Sequence, residues 1–466
     1  MSELTKYHEL SAKEKIGWLI AILAPLCIIL MPTTELFTLQ VKEFVALTLW
    51  AIIMWAMDLL PKVVTAVMLC VFYILLGLAP ASAVFGGPFS MAVPWLLLGG
   101  MIISKVFEQT PLLKRFSYWL IIKLGGSYRA MLYGLALSGV VISLLIPNSG
   151  ARVVLYATLT IGICNAVGAE KETKLATAIM LAGLVASSNI SPMFQTGKDT
   201  IILAEGFFEE AGLFMSWWEY FKMNGALFFA WGLVNVIIVE VLFRPEKKIG
   251  SKKFFQEELA KMGKMEKGEI KMGIILLLVG VLLITQIVDA QWSFLLCACI
   301  CFLPGINLAN EKMLKNINWS MIIFTACTIA IGNVAASVGA DAWISDICMG
   351  LLSGRGTVAT YSLVWVVAVI LNLFMTPLSA ASAFIPALID LTQQLGLNTF
   401  SITYMFLQGL QQIFFPFEIS TMLLFYSFGY VSYKNITKYF ITRMACNFVY
   451  MICICLPIWG LMGYVA

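Results

Sequence analysis

Apolar runs of spanning length follow one another along the chain, separated by short polar clusters. The pattern predicts helices near 17–32, 44–60, 63–80 and 93–122, the last tilted or extending past a membrane. Two later runs, 130–168 and 358–396, are too long for one ordinary span, and polar, helix-incompatible residues interrupt their centres. The first break reads I-P-N-S-G-A-R (Ile146 to Arg152) and the second M-T-P-L-S-A-A-S (Met375 to Ser382). In hydrocarbon every backbone N–H and C=O needs a partner, so Pro, Asn, Ser and Gly survive together at membrane depth only inside protein or facing a cavity. Each run is therefore read as a re-entrant helix hairpin with a binding tip. Two such breaks in corresponding halves are the pattern of a secondary transporter built from inverted repeats.

The remaining pattern fills in around them. A broken segment runs from 174 to about 204, interrupted from Ala186 to Thr200, and a clean span at 223–243 closes the first half. Spans near 271–289, 291–307 and 319–350, a broken span at 403–430 and a last span at 439–464 make up the second. The expected organisation is a cytoplasmic N-terminus (1–16), a first membrane half (17–243), a cytoplasmic linker (244–271) rich in Lys, and a second membrane half (272–466). The halves echo one another: Asn148 lies 53 residues after Trp95, and Thr376 lies 57 after Trp319. Matching offsets argue for duplication.

Composition sharpens the class. With 61% hydrophobic and 12% charged residues the chain is an all-α polytopic membrane protein. No small-residue cleavage pattern follows the first apolar run, so Gly17 to Pro32 is expected as a retained helix. A net charge of +4 implies no nucleic-acid partner, and the eleven Cys, which form no C-x-x-C pair, are packing residues. Lys and Arg gather in the loops expected on one side: Lys62; Lys114, Arg115, Lys123 and Arg129; Lys171 and Lys174; the linker; Lys312 and Lys315; and Lys434, Lys438 and Arg443. Arg355 is the exception. This positive-inside bias supports eleven spans plus two hairpins, with the N-terminus inside and the C-terminus outside.

Several stretches then carry a resemblance: L-W-A-I-I-M-W-A-M-D-L-L-P-K-V-V-T-A (Leu49 to Ala66), the Trp95 and Trp319 helices with their following T-P-L-L-K-R-F and V-G-A-D-A-W segments, and F-P-F-E-I-S-T-M-L-L-F-Y-S-F-G-Y (Phe415 to Tyr430). In order and spacing the chain resembles the divalent anion:sodium symporter family, the dicarboxylate and citrate transporter group of the ion transporter superfamily. That resemblance implies an elevator mechanism in a homodimer, with hairpin tips and broken helices carrying a di- or tricarboxylate through the bilayer. The family's Ser-Asn-Thr tip tripeptide is altered at both tips. The first reads Asn148-Ser149-Gly150, aligned on the following Ala151-Arg152 that resembles the S-N-T-A-R form of some citrate and succinate exchangers, or Pro147-Asn148-Ser149, aligned on Asn148. The second reads Thr376-Pro377-Leu378. Asn148, Asn189 and Thr376 are the candidate sodium ligands, and the altered tips argue against sodium coupling.

A carboxylate at mid-membrane needs donors, and freed N–H groups at a half-helix N-terminus supply them. Asn148, Ser149 and Gly150 lead into such a helix, unless Asn and Ser merely cap it. Hydroxyls at Ser379 and Ser382 add to Thr376 at the second tip. Arg152, hard to bury without an anion, either binds substrate bidentately or pairs with Glu418 or Asp199. Ser187, Ser188, Asn189 and Thr196 are polar without charge in the first broken segment, whereas Lys198 and Asp199 are either a site pair or, favoured, the edge of an outer loop. Glu418, beside Gln411 and Gln412, and Thr421 are the candidates in the second broken segment; an intramembrane carboxylate is a coupling group or a partner for Arg152.

An intramembrane enzyme is the reading from another class, but a single His allows no H-E-x-x-H zinc pair and no G-x-S-x-G elbow is present. Paired broken helices suit alternating access better than a continuous pore. The expectation is a secondary transporter of succinate-, malate- or citrate-class anions in a bacterial inner membrane, needing no cofactor, with anion exchange favoured over sodium symport.

Overall fold

The computed structural model describes residues 11–245, 252–340, 342–343, 355–414 and 420–465. Every regular element among them is helical, as the all-α expectation required. Ser11 and Glu14 close a capping box on α1 (Ala12–Leu30), and the Thr38 hydroxyl caps α2 (Leu39–Met57). After α3 (Lys62–Leu75), a short helical stretch, Ser82–Ser90, bends by 51° into α4 (Ala92–Glu108). The stretch expected as one tilted span at 93–122 is two helices, because Pro111 has no N–H to continue the ladder and the chain restarts as α5 (Leu112–Lys123).

The first centrally broken run forms α6 (Tyr128–Leu145) and α7 (Ser149–Ala166). The hydroxyls of Ser138 and Tyr156, each about two turns from the break, lie 2.7 Å apart, so the two helices run back along each other. α8 (Lys174–Leu184) passes into a π turn at Val185–Asn189 and two 3₁₀ turns before α9 (Asp199–Glu210). α10 (Trp217–Leu242) follows, then a surface helix α11 (Lys252–Lys261), α12 (Lys267–Thr285), α13 (Ala290–Ile300) and α14 (Trp319–Val338). The second broken run gives α15 (Thr357–Phe374) and α16 (Pro377–Gln394). The chain closes with α17 (Thr399–Leu410), α18 (Ser420–Ser427) and α19 (Tyr433–Leu461).

Among the described residues eight helices are long and apolar enough to cross a membrane, or nine if the bent pair is one span. Two of these, α6 and α15, belong to the hairpin runs, so seven of the eleven other expected spans pass this test with the bent pair counted as one. α3 has 14 residues and α13 has 11, both short of a hydrocarbon core. α14 stops at Gly339, whose φ of +74° ends the helix well before residue 350.

Polar and apolar residues are distributed for a lipid solvent. Ile274, Leu277, Val281 and Ile284 form an exposed stripe on α12, and Val366, Val367, Ile370 and Phe374 one on α15. Arg152, Thr160, Asn235 and Asn447 are buried instead. Two apolar cores result. A smaller one packs α2, α3 and Val84 against Phe324, Cys327, Ile331 and Val334 of α14; a larger one holds both broken runs and the helices around them.

Small residues bring backbones together where the breaks occur. A Cβ on Gly139 of α6 would fall 2.3 Å from the carbonyl oxygen of Ala186, in the π turn, and one on Gly409 of α17 would fall 2.6 Å from the Trp365 oxygen of α15. The first helix of each broken run thus touches the other broken segment of its own half through a glycine. Gly139→Val should destabilise the detergent-solubilised protein by at least about 1–3 kcal/mol, the usual cost of overpacking. Gly162→Ala, at a position with no neighbour within 4 Å, should leave thermal unfolding unchanged or slightly raised; equal unfolding temperatures for the two variants would contradict the packing assigned to α6.

Candidate functional site

A cavity of about 320 Å³ opens where the breaks converge. Asn148, Ser149 and Gly150 line it from the start of α7, and Thr376, Pro377 and Leu378 from the start of α16. The segment between α8 and α9 contributes Ser188, Asn189, Lys198, Asp199 and Thr200. Gln411 and Ile413 enter from the end of α17, Lys62 from α3 and Arg443 from α19. The tips face one another across this space because each helix restarts there on a polar cap. The Asn148 carbonyl oxygen of the side chain accepts from Ala151 N–H at 2.9 Å, and the Thr376 hydroxyl accepts from Ser379 N–H at 3.4 Å.

Arg152 organises the first wall from behind. It is fully buried and is not among the lining residues. Its Nε donates to the Ser187 carbonyl at 2.9 Å, one Nη to the Ile146 carbonyl, and the other to the Gly197 carbonyl at 2.5 Å and the Ser149 hydroxyl at 3.3 Å. One guanidinium therefore ties the tip to both ends of the segment between α8 and α9. Asp199 accepts from Ser149 N–H at 3.2 Å and lies close enough for its charge to act on Arg152.

Lys198 projects into the cavity rather than lying at the edge of an outer loop. Its ammonium donates to the Ser188 hydroxyl at 2.9 Å and to Gln411 Oε1 at 3.3 Å. Arg443, expected in an inner loop, lies buried within α19, donating to Asn235 Oδ1 at 3.1 Å and to the Gln411 carbonyl at 2.9 Å. Lys62, also expected in a loop, donates to the Thr376 hydroxyl at 2.9 Å. Asn189 joins the network through its amide, donating to Asn235 Oδ1 at 3.2 Å and Tyr439 OH at 2.9 Å. Among the described lining residues three cations thus stand against one carboxylate, leaving two positive charges in excess. Thr200 Oγ1 and Gln411 Nε2, both buried on this lining, have no partner among the described residues and can donate to a bound acceptor.

The other expected site residues are placed differently. Ser379 lines an adjoining space together with Lys62 and Asn318. The Ser382 hydroxyl turns back to the Leu378 carbonyl at 2.8 Å, inside α16. Thr196 lines a separate cavity with Glu205, Glu209 and Asp289, because the 3₁₀ turn at Gln195–Gly197 points it away from the tips. Glu418 and the Thr421 side chain lie outside the described residues. Of the candidate sodium ligands, Asn148 and Thr376 spend side-chain oxygens as helix caps, and the carbonyls of Ile146, Ser187 and Gly197 accept from Arg152. No group of three His, Cys, Asp or Glu able to hold a metal ion occurs among the described residues. The cations missed from the sequence had one usable signal: Arg443 falls within the first turns of the apolar run 439–464 rather than before it, and an ionisable residue inside such a run marks function.

A family profile for the sodium:sulfate symporter transmembrane region matches residues 12–465. A protein of Cupriavidus necator named membrane protein is 23% identical over 406 residues, which cover 81% of this chain and 79% of that one. Dicarboxylate transporter 1, chloroplastic, of Spinacia oleracea is 26% identical over 373 residues, covering 75% of this chain and 64% of that protein. The crystal structure of the YdaH transporter of Alcanivorax borkumensis superposes with a TM-score of 0.55 at 13% identity, covering 83% of this chain and 88% of that one; the likeness is one of fold.

Replacing Arg152 tests the wall it holds. Arg152→Met should cost about 1–3 kcal/mol for each buried carbonyl left without a donor, a loss read as a lowered unfolding temperature of the solubilised protein. Arg152→Lys should recover only part of it, since one ammonium cannot reproduce the planar fork. Wild-type stability in the Met variant would show that the guanidinium does not hold the break.

Proposed function

The chain belongs to the divalent anion:sodium symporter family, and from that membership we propose that it carries di- or tricarboxylates of the succinate, malate and citrate class by anion exchange. The observation that carries this reading is the charge of the cavity: two unneutralised positive charges match a dianion. Lys198 and Arg443 are held by amides, hydroxyls and a carbonyl, so their charge stays available to substrate. The tip N-termini of α7 and α16 add dipoles of the same sign. A cavity of about 320 Å³ suits a small organic anion. The chloroplast relative's name agrees with a dicarboxylate substrate.

Exchange follows from where the positive charge resides. In a symporter a co-transported cation neutralises the substrate; here the carbonyls beside the first tip bond a tethered guanidinium. A site whose cations are covalently fixed returns across the membrane at high cost unless an anion accompanies it. The reading includes an elevator movement of both broken runs, an inverted repeat, a homodimer and a bacterial inner membrane with the N-terminus inside. Sodium symport is the second reading, favoured by the sodium:sulfate description of the matching family.

Uptake of labelled succinate into proteoliposomes tests both. Uptake should require an internal dicarboxylate and be indifferent to sodium, and Arg443→Met or Lys198→Met should weaken apparent affinity by about ten- to a hundred-fold, the worth of one hydrogen bond to a charged group. Uptake into empty vesicles on a sodium gradient would overturn exchange in favour of symport.

A further inference from the structure

Among the described lining cations, Lys62 is the one carried by an element of the smaller core. It stands at the start of α3, whose apolar residues Ala66, Leu69 and Cys70 belong to the smaller core. Thr376 stands between α15 and α16, and its neighbours Met375 and Ala380 belong to the larger core. The 2.9 Å bond from Lys62 Nζ to Thr376 Oγ1 is therefore a polar contact between the two cores at the cavity wall, two residues from Leu378, whose apolar side chain packs against both.

That bond is chemically easy to displace. Its acceptor is a neutral hydroxyl already engaged by Ser379, whose hydroxyl lies at 2.9 Å and whose N–H donates at 3.4 Å. It also sets a cation at the N-terminus of α16, the end of a helix dipole that favours anions. Asp58, on the exposed turn before α3, acts on the ammonium through its charge, but no ion pair joins the two among the described residues. A carboxylate in the cavity is a better acceptor than the hydroxyl, because it adds charge–charge attraction to a bond whose donor alone is now ionised.

Resting on the exchange reading, we propose that Lys62 is a substrate-displaced latch: its ammonium holds the second tip to the smaller core until a substrate carboxylate takes the ammonium over, so that the tip moves only with an anion aboard. Lys62 is thus a positioning residue for coupling as well as part of the cationic lining. The anion frees the tip by competing for one donor, and its departure restores the bond.

The test uses the full chain in proteoliposomes and compares two rates in each variant, counterflow of labelled succinate against internal succinate and net efflux of succinate into anion-free buffer. In the wild type counterflow should far exceed net efflux. Lys62→Met and Lys62→Gln should slow counterflow, as loss of a lining cation must, yet raise the ratio of net efflux to counterflow at least about ten-fold, the weight of one hydrogen bond to a charged group. Lys62→Arg, which keeps charge and donors, should stay within about three-fold of the wild-type ratio. Thr376→Val removes the acceptor from the other side and should raise the ratio, reading the same contact if a Lys62 variant does not fold. A wild-type ratio in the neutral Lys62 variants, or in Thr376→Val where they do not fold, overturns the latch whatever happens to rate. A wild type without counterflow that takes up succinate on a sodium gradient defeats the exchange reading instead, and the two failures are distinguishable.

Discussion

A helix interrupted at membrane depth leaves carbonyl groups with no water to solvate them, and the first half of this chain meets that constraint with one guanidinium. Arg152 donates to Ile146, Ser187 and Gly197, carbonyls from both interrupted stretches, and to the Ser149 hydroxyl. Lysine has three rotatable donors on one nitrogen, whereas arginine presents five in a fixed plane. Only the latter shape reaches separate acceptors on two chain segments while remaining fully charged. The positions of Ser188, Lys198 and Asp199 follow, because the segment carrying them is pinned at Ser187 and Gly197. The first wall of the cavity therefore has a shape that its own irregular backbone could not maintain.

The same logic governs how charge is stored. A buried cation is commonly secured by a carboxylate, which holds it and cancels its field together. Lys198 and Arg443 are secured by dipoles: a serine hydroxyl, the two oxygens of Gln411, and Asn235 Oδ1. Asn235 Oδ1 accepts from Asn189, Tyr439 and Arg443 at once. Such a network orients cations without neutralising them, so the cavity keeps an attraction for anions that an ion-paired lining would have lost. Asp199 is the carboxylate on this lining, and its described bond is to a backbone N–H at the tip, so part of its charge acts on the helix end.

Much of this was legible in the sequence because backbone chemistry is local. Pro147 with Asn148, and Pro377 with Thr376, favour a helix start over a helix interior, and the structure divides both runs there. The Ala186 to Thr200 interruption was equally plain and became one π turn and two 3₁₀ turns. Asn148, Ser149, Gly150, Ser188, Asn189, Thr376 and Pro377 were named from these breaks and all line the cavity. Side-chain direction was not legible in the same way. Thr196 sits in the right segment but on the outward side of its turn, and Ser382 is spent on the carbonyl four residues back. Those outcomes depend on turn geometry that residue types alone do not fix.

The misread cations expose a limit of charge-based topology in a protein with interrupted helices. Counting Lys and Arg assigns each one to the loop nearest in sequence, on the premise that helix ends coincide with the membrane surface. That premise fails where a break brings helix ends to mid-depth, because a polar cavity then supplies a second place where a cation is tolerated. Lys62 begins a helix, yet its ammonium reaches Thr376 at the opposite tip. Arg443 lies in α19 only a few residues beyond Lys438, yet it is buried against Gln411. Both count toward the same side of the charge bias wherever their side chains reach, so that count is insensitive to where they sit. A cation close to a helix end in such a chain is therefore a site candidate to the degree that a broken segment elsewhere can come level with it, a relation between two distant stretches that no single window of sequence displays.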